Sequence, residues 1–382
     1  MTSARCGGVL SVMSTEGALS VIGASEALPD PVHDMSITVL AGRVPSSAPG
    51  VQQAVDAERL GFKRVWLPER YTNKDAGVLL GAMAARTARI GVGTGPLSIS
   101  ARPPIVTAAM GATIHSAFGP RFTLGVGRGG PPAWYQGHGF SQVDYRTLVD
   151  LAGIIRDLWE GKTVRYNGPA GTYENLILVD LPDGPRPQIA FFHLGGKRAS
   201  QVAADPVFDS VVLVNMTGPD VAAQSIAWTR EEAMRIGRDP DSLFFVAPVT
   251  TAPDLDEEQT LIEVAVRVVV YLQLPILGEA MARLNHWEGQ AAEDIRNLPI
   301  FRRTGAGTLD QTVPRADLVE AARLVPEQWC RDAAAIGTAA ECVKHVQRYR
   351  QAGADEVNLY GSTPAQNAGL IRAWRTRPEA KV

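Results

Sequence analysis

Excess basic charge, cysteine and long apolar runs are all scarce in this chain, and each shortage removes a class of function. The 37 Lys and Arg are outnumbered by 40 Asp and Glu, a formal net charge of −3. No global field therefore draws in nucleic acid. There is also no zinc finger, no helix-turn-helix and no basic stripe interleaved with aromatics. The three cysteines, Cys6, Cys330 and Cys342, match no metal-binding spacing, and an odd number cannot pair fully as disulfides. A reduced, cytoplasmic setting is the expectation. No apolar run approaches the roughly 20 residues of a membrane span, so no membrane partner is expected. Residues 1–34 are weakly apolar and interrupted by Glu16, Glu26 and Asp30. They read as a poorly ordered N-terminal extension rather than a signal peptide, and Met13 offers a second start.

What the chain does have is a rhythm. From about residue 35, short apolar runs give way to Gly- or Pro-bearing loops and then to amphipathic stretches. The runs are SITVLAG at 36–42, RVWLP at 64–68, RIGVGTG at 89–95, FTLGVG at 122–127, QIAFFHL at 188–194, DSVVLVN at 209–215, LFFVAPVTT at 243–251 and DEVNLYG at 355–361. Nearly continuous apolar character marks strands buried on both faces. Strands alternating with helices build a parallel sheet, and eight of them match a closed (β/α)8 TIM barrel. A doubly wound sheet would carry Gly-x-Gly-x-x-Gly after its first strand, where this chain has AGRVPSS. The prediction is an α/β chain with one barrel domain over 35–382. Residues 254–335, helical and rich in Arg, Glu and Ala, break the rhythm. They read as an insertion over the barrel mouth, between the seventh strand and the last helix–strand pair.

Barrel active sites sit at the C-terminal ends of the strands. Four unusual loops fall there: PERYTNKD at 68–75, GPLSISARPP at 95–104, the cluster Gly125, Gly127, Gly129 and Gly130, and HLGGKRAS at 193–200. One glycine-rich loop is an ordinary tight turn. Several on one rim point to a planar or phosphorylated small molecule. In the last loop, free backbone N–H groups opening a helix next to Lys197 and Arg198 make an anion site. Glu69 and Arg70 form a Glu–Arg pair in which the cation would depress the carboxylate and weaken it as a base; a buried structural ion pair is the other reading. His193, His138 and His115 are then the candidate bases. His115 has the spacing of a packed helix residue, and His193 faces either the rim or the core. Trp134 and Tyr135 would wall the pocket or fill the core.

Four phrases carry a resemblance: AERLGFKRVWLPER, TARIGVGTGPL, RPPIVTAAMGATIHSAFGPRFTLGVGRG and GTAAECVKHVQRYRQAGADEVNLYG. Over about residues 36–375 the chain resembles the bacterial luciferase-like flavin and deazaflavin oxidoreductases. Within them it is most similar to the actinobacterial coenzyme F420-dependent branch. The resemblance implies a luciferase-like barrel that binds F420, or alternatively FMN, with the ring in the mouth. It implies a cis peptide at Gly95–Pro96, with Gly95, Pro96 and Leu97 supporting the ring. Gly127, Arg128 and Gly129 would approach the ring and its side chain, and Gly195, Gly196 and Lys197 would hold the cofactor phosphate. Glu69 and Arg70 stand where relatives carry Glu-His or Asp-His pairs; with no histidine at 70 the base must come from elsewhere, and Glu69, Arg70 and His193 are the catalytic candidates. Gly130 stands where the sugar-phosphate dehydrogenases of the family carry a glutamate, which argues against that activity. The implied chemistry is hydride transfer between F420 and an organic small molecule, in a homodimer. An FMN monooxygenase served by a separate reductase and a non-catalytic flavin-binding barrel are the rival readings.

Overall fold

The computed structural model describes residues 28–40, 46–69, 74–129, 132–181, 183–274, 277–300 and 313–377. Eight parallel strands line one barrel: β1 Met35–Thr38, β2 Arg64–Leu67, β3 Gly91–Thr94, β4 Phe122–Gly127, β5 Gln188–Phe192, β6 Ser210–Val212, β7 Phe244–Pro253 and β8 Glu356–Gly361. They pair in sequence order, and β8 pairs with β1, which closes the ring. The helices around it are α1 Ala48–Leu60, α2 Ala76–Arg86, α3 Pro104–Phe118, α4 Tyr145–Trp159, α5 Lys197–Ala203, α6 Pro219–Arg235, α7 Ala339–Gln351 and α8 Ala368–Thr376. The expected (β/α)8 barrel is therefore present. No single helix among the described residues is long and apolar enough to cross a membrane.

Side chains alternate along each strand, as the strand period of two requires. One set, including Ile37, Val65, Leu67, Val92, Leu124, Phe191, Val249 and Leu359, packs outward against the helices. The other set fills the interior, where Trp66, Ala190, Val212 and Val246 pack with Phe192 and Phe244. Gly93 and Gly125 make this interior possible. A Cβ at Gly93 would stand 2.8 Å from Trp66 Cε3, and one at Gly125 would stand 2.0 Å from the Thr94 carbonyl oxygen and 2.4 Å from Phe192 Cε2. Gly125 thus belongs to barrel packing and not to ligand approach.

Buried charges at the N-terminal end of the barrel are matched. Glu356 is fully buried, with Lys63 Nζ at 3.1 Å and Arg64 Nη2 at 3.8 Å. Glu58 of α1 accepts the backbone N–H groups of Ala88, Arg89 and Ile90. Ahead of β1, Asp34 accepts from Trp374 Nε1 at 3.0 Å and Arg377 Nη2 at 2.9 Å. Ordered packing therefore reaches back beyond residue 35.

Between α4 and β5 lies an antiparallel hairpin, Val164–Gly168 with Gly171–Leu176. It is absent from the sequence reading because both strands are largely exposed and one is bulged, so neither carries a clean apolar alternation. After β7 the chain forms a helical block with its own core of Val264, Val268, Met281, Trp287, Ile295 and Leu318. Trp287 stacks on Trp329 at 5.6 Å. The block is joined to the barrel through Val214, Met216 and Ala252, at the C-terminal ends of β6 and β7.

Arg121, which opens the β4 phrase, donates to the carbonyls of Phe118, Ile90, Ala84 and Thr87 and to the Thr87 hydroxyl. It ties α2, α3 and the start of β3 together. Arg121→Met leaves those acceptors under cover without a donor. It should lower the urea unfolding free energy by about 2–4 kcal/mol with the circular dichroism spectrum retained; a loss below ~0.5 kcal/mol would show that water replaces the guanidinium.

Candidate active site

The loops after β2, β3 and β4 are laced together at the mouth. The Gly95–Pro96 peptide is cis. Gly95 N–H donates to the Leu67 carbonyl at 2.8 Å, and Glu69 N–H donates to the Pro96 carbonyl at 3.2 Å. Leu97 and Ser98 then pair with Val126 and Gly127 of β4. A Cβ at Gly127 would lie 3.2 Å from Pro96 Cγ, so the backbone of β4 rests directly on the proline. Gly95, Pro96 and Gly127 form one platform. Leu97 does not join it as a ligand contact: it is fully buried in the core between barrel and helices, a correction to the expectation that it supports a ring.

Beyond Gly127 the chain turns through Gly129 at φ +92°, where a Cβ would meet Tyr135 Oη at 2.7 Å and Ser98 Oγ at 2.8 Å. Tyr135 is buried with its hydroxyl close to Ser98, and burial raises its pKa against the pull of Arg128 and Ser98. Tyr135 is therefore a fixed wall under the turn. The Arg128 guanidinium lies 4.9 Å from the centre of the Tyr145 ring, and Arg198 approaches the same ring at 5.8 Å. Tyr145, a residue that sequence reasoning missed, thus brings the cations of the β4 and β5 loops together. Its own ring packs edge-on against Phe191 at 6.2 Å.

In the β5 loop, Gly195 and Gly196 both have positive φ, and α5 begins at Lys197. A Cβ at Gly196 would meet nothing within 4 Å, whereas one at Gly195 would stand 2.7 Å from Leu284 Cδ1 of the inserted block. Gly196, exposed Lys197 and exposed Arg198 are open to a ligand; Gly195 is a packing position.

His193 has a different task from the base expected of it. It is 3% exposed. Nδ1 accepts the Gly195 N–H at 2.9 Å, and Nε2 lies 2.9 Å from Ser200 Oγ. Nε2 is then the protonated nitrogen, donating to Ser200, whose hydroxyl donates on to the Gly196 carbonyl at 3.2 Å. Burial pushes the imidazole down to about 4. Both nitrogens are engaged in shaping the glycine loop. His115 is also buried and interacts with the Phe122 backbone, the packed role read for it. Cys330 and Cys342 are buried thiols pushed up to about 12 by burial.

Glu69 is 5% exposed and is paired with Arg102. Arg102 also reaches Asp75 Oδ2 at 2.6 Å, and Asp75 caps α2 through Val78 N–H. Burial works against the Arg102 charge, but Glu69 and then Asp75 hold its pKa above the ordinary value. Arg102, 33 positions away, is thus a partner of Glu69 that no local pattern reveals. Arg70, Gly130 and the Trp134 side chain lie outside the described residues.

Residues 33–356 match the family described as luciferase-like monooxygenase. The chain belongs to that family. It is 27% identical over 219 residues to a 5,10-methylenetetrahydromethanopterin reductase of Archaeoglobus fulgidus, covering 56% of this chain and 62% of the relative. It is 26% identical over 225 residues to an F420-dependent glucose-6-phosphate dehydrogenase of Nakamurella multipartita, covering 54% and 64%. Both alignments thus span less than two thirds of those relatives. The structure of a coenzyme F420-dependent tetrahydromethanopterin reductase from Methanopyrus kandleri superposes with a TM-score of 0.72 at 19% identity, covering 89% of this chain and 97% of that one. It shares the barrel.

The buried neutral His193 has a consequence for acid stability. Its ordinary pKa is 6.5 and its folded value about 4, so below pH 6.5 the unfolded chain takes up a proton that the folded imidazole refuses. The stability it contributes is complete above that pH and falls as the pH drops towards 4. His193→Asn should remove about 2 kcal/mol of the stability difference between pH 7 and pH 5, read from urea melts at both values. An unchanged pH slope would place the titration elsewhere.

Proposed function

We propose that this protein is an oxidoreductase that binds coenzyme F420 across the C-terminal mouth and moves a hydride between the deazaflavin and a small organic substrate. The observation that carries the reading is a convergence. The open backbone at Gly196, the exposed Lys197 and the Arg128–Tyr145–Arg198 stack stand beside the Pro96–Gly127 platform. That set fits a planar ring joined to an anionic arm: Gly95, Pro96 and Gly127 place little side-chain bulk at the ends of β3 and β4, and the cations follow on the β4 and β5 loops. The deazaflavin, once bound, supplies the two-electron hydride chemistry.

The chain's residues hold and orient. Gly196 N–H and Lys197 would take the cofactor phosphate, and His193 keeps that loop in shape through Gly195 and Ser200. Arg128, fixed by Tyr145, would face the ring edge. Glu69, charge-paired with Arg102, is a poor proton acceptor and a good anchor for a hydroxyl or N–H of substrate or ring. F420 in the names of two similar proteins supports the deazaflavin over FMN, while the family's description as monooxygenase keeps FMN as the competitor. Titration with F420 and FMN side by side, read by fluorescence, should give tighter binding of F420, and Gly129→Val should weaken it at least tenfold. Equal or tighter FMN binding would overturn the choice of cofactor.

The working unit is a homodimer in this reading. Val78 of α2 is 73% exposed and Val106 of α3 is 49% exposed, on neighbouring helices that also present Gly77, Gly81, Ala82 and Met110 at partial burial. An apolar face of this kind is suited to a second copy. Light scattering should give twice the chain mass, and Val78→Asp with Val106→Asp should give a folded monomer. A wild-type monomer would rule the dimer out.

A further inference from the structure

We infer that the β6–β8 sector of the mouth binds an oxyanion carried by the substrate, a carboxylate or a phosphate ester, between Arg267 and Asn215. The inference rests on the oxidoreductase reading and adds a substrate class to it. After β7 the chain makes a π-helical turn, Leu261–Ala265, that runs into the helix Val266–Leu272. Such turns recur at functional sites. The turn sets Glu263 and Arg267 side by side, 7% and 6% exposed. Arg315 reaches over and donates to Glu263 Oε2. Arg267 Nε donates to the Glu263 backbone carbonyl at 3.0 Å, while its Nη2 stays 3.7 Å from Glu263 Oε2. Two covered guanidinium groups therefore share one carboxylate, leaving a net positive charge. Arg267 Nη2 is buried and has no hydrogen-bond partner among the described residues.

The position of this charge follows from the strand register. The Arg267 guanidinium lies 4.5 Å from the centre of the Tyr360 ring, in the last turn of β8 before Gly361. Tyr360 is in register with Thr250 of β7. Thr250 Oγ1 in turn faces Asn215 Oδ1 at 3.4 Å, just beyond the end of β6. Asn215 is 9% exposed, and its Nδ2 is buried without a partner among the described residues. The helix after β7 thus brings a cationic donor onto β8, and the end of β6 carries an amide donor beside β7; neither donor atom has an acceptor among the described residues. Unpaired buried donors call for an acceptor, and a covered guanidinium with an open fork calls for an anionic one. This sector is separate from the Gly196–Lys197 loop on β5.

The test is calorimetric titration of the full chain with inorganic phosphate and with malonate at constant ionic strength. It is repeated on Arg267→Met, Asn215→Leu and, as control for the β5 loop, Lys197→Glu. Arg267→Met leaves Glu263 paired with Arg315; if that variant does not fold, Arg267→Lys keeps the charge and removes the fork. At least one anion should bind, at least tenfold more weakly to Arg267→Met (or Arg267→Lys) and severalfold more weakly to Asn215→Leu, while Lys197→Glu should lose at most the phosphate taken by the β5 loop and keep the Arg267-dependent binding. Preference for phosphate identifies a phosphate ester, and preference for malonate a carboxylate. The inference is overturned if neither anion binds the wild type, if the Arg267 variants bind as tightly as wild type, or if only Lys197→Glu loses binding. F420 fluorescence titration of the same samples separates the two readings: loss of F420 binding by the wild type would sink the cofactor proposal and leave the anion result to stand by itself.

Discussion

Trp66 occupies the barrel interior, and the mouth is laid out around it. Its ring meets Phe192 edge-on at 5.4 Å, and its Nε1 donates to Ser36 Oγ at 3.2 Å. A residue of that size is accommodated only because the neighbouring strand carries Gly93 and Gly95, where a Cβ would stand 2.8 Å from Trp66 Cε3 and 3.0 Å from Trp66 Cβ. The same bulk excludes side chains from β3 just below the cis Gly95–Pro96 peptide. Backbone, one proline ring and Gly127 then meet there, with the Phe192 side chain alongside. A surface of that composition has few rotamers to lose when a flat ligand settles on it, which is what preorganisation requires.

The eight strands were legible because burial on both faces leaves an unbroken apolar signature, and the absent dinucleotide fingerprint separated barrel from open sheet. The hairpin at 164–176 was not legible, because it contributes little to any core: Tyr166 is tethered by its hydroxyl to Asp150 at 2.7 Å rather than by apolar packing. In the site, adjacency in sequence shows only part of the arrangement. Glu69 was read with its neighbour Arg70, which lies outside the described residues, and the fold brings in Arg102 as a further partner. Leu97 was read with the platform because it follows Pro96, but strand alternation turns it into the core.

His193 could have been read further than it was. In His-Leu-Gly-Gly-Lys-Arg-Ala-Ser the serine lies seven residues beyond the histidine, one helical turn into α5, at the reach needed to close a loop on itself. The spacing of a polar pair across a Gly-Gly turn is a structural signature. Taking the histidine as a base ignored that both of its nitrogens were already spoken for locally.

The overall charge of −3 hides how the charges are sorted. Many of the carboxylates inside or beside the barrel are consumed by structure: Glu58 by backbone N–H groups, Glu356 by Lys63 and Arg64, and Asp209 by a two-pronged contact with Arg186 at 2.8 and 2.9 Å. At the mouth the balance reverses. Arg128, Lys197 and Arg198 gather by β4 and β5, and Arg267 and Arg315 outnumber Glu263 by β7 and β8. The covered position of Arg267 and Arg315 makes that local imbalance count for far more than the distant surface charge. These two cationic sectors lie on different sides of one ring of strands. A cofactor anchored by an anionic arm at the first and a substrate anchored by an anionic group at the second would have their uncharged, reacting ends directed towards the space between.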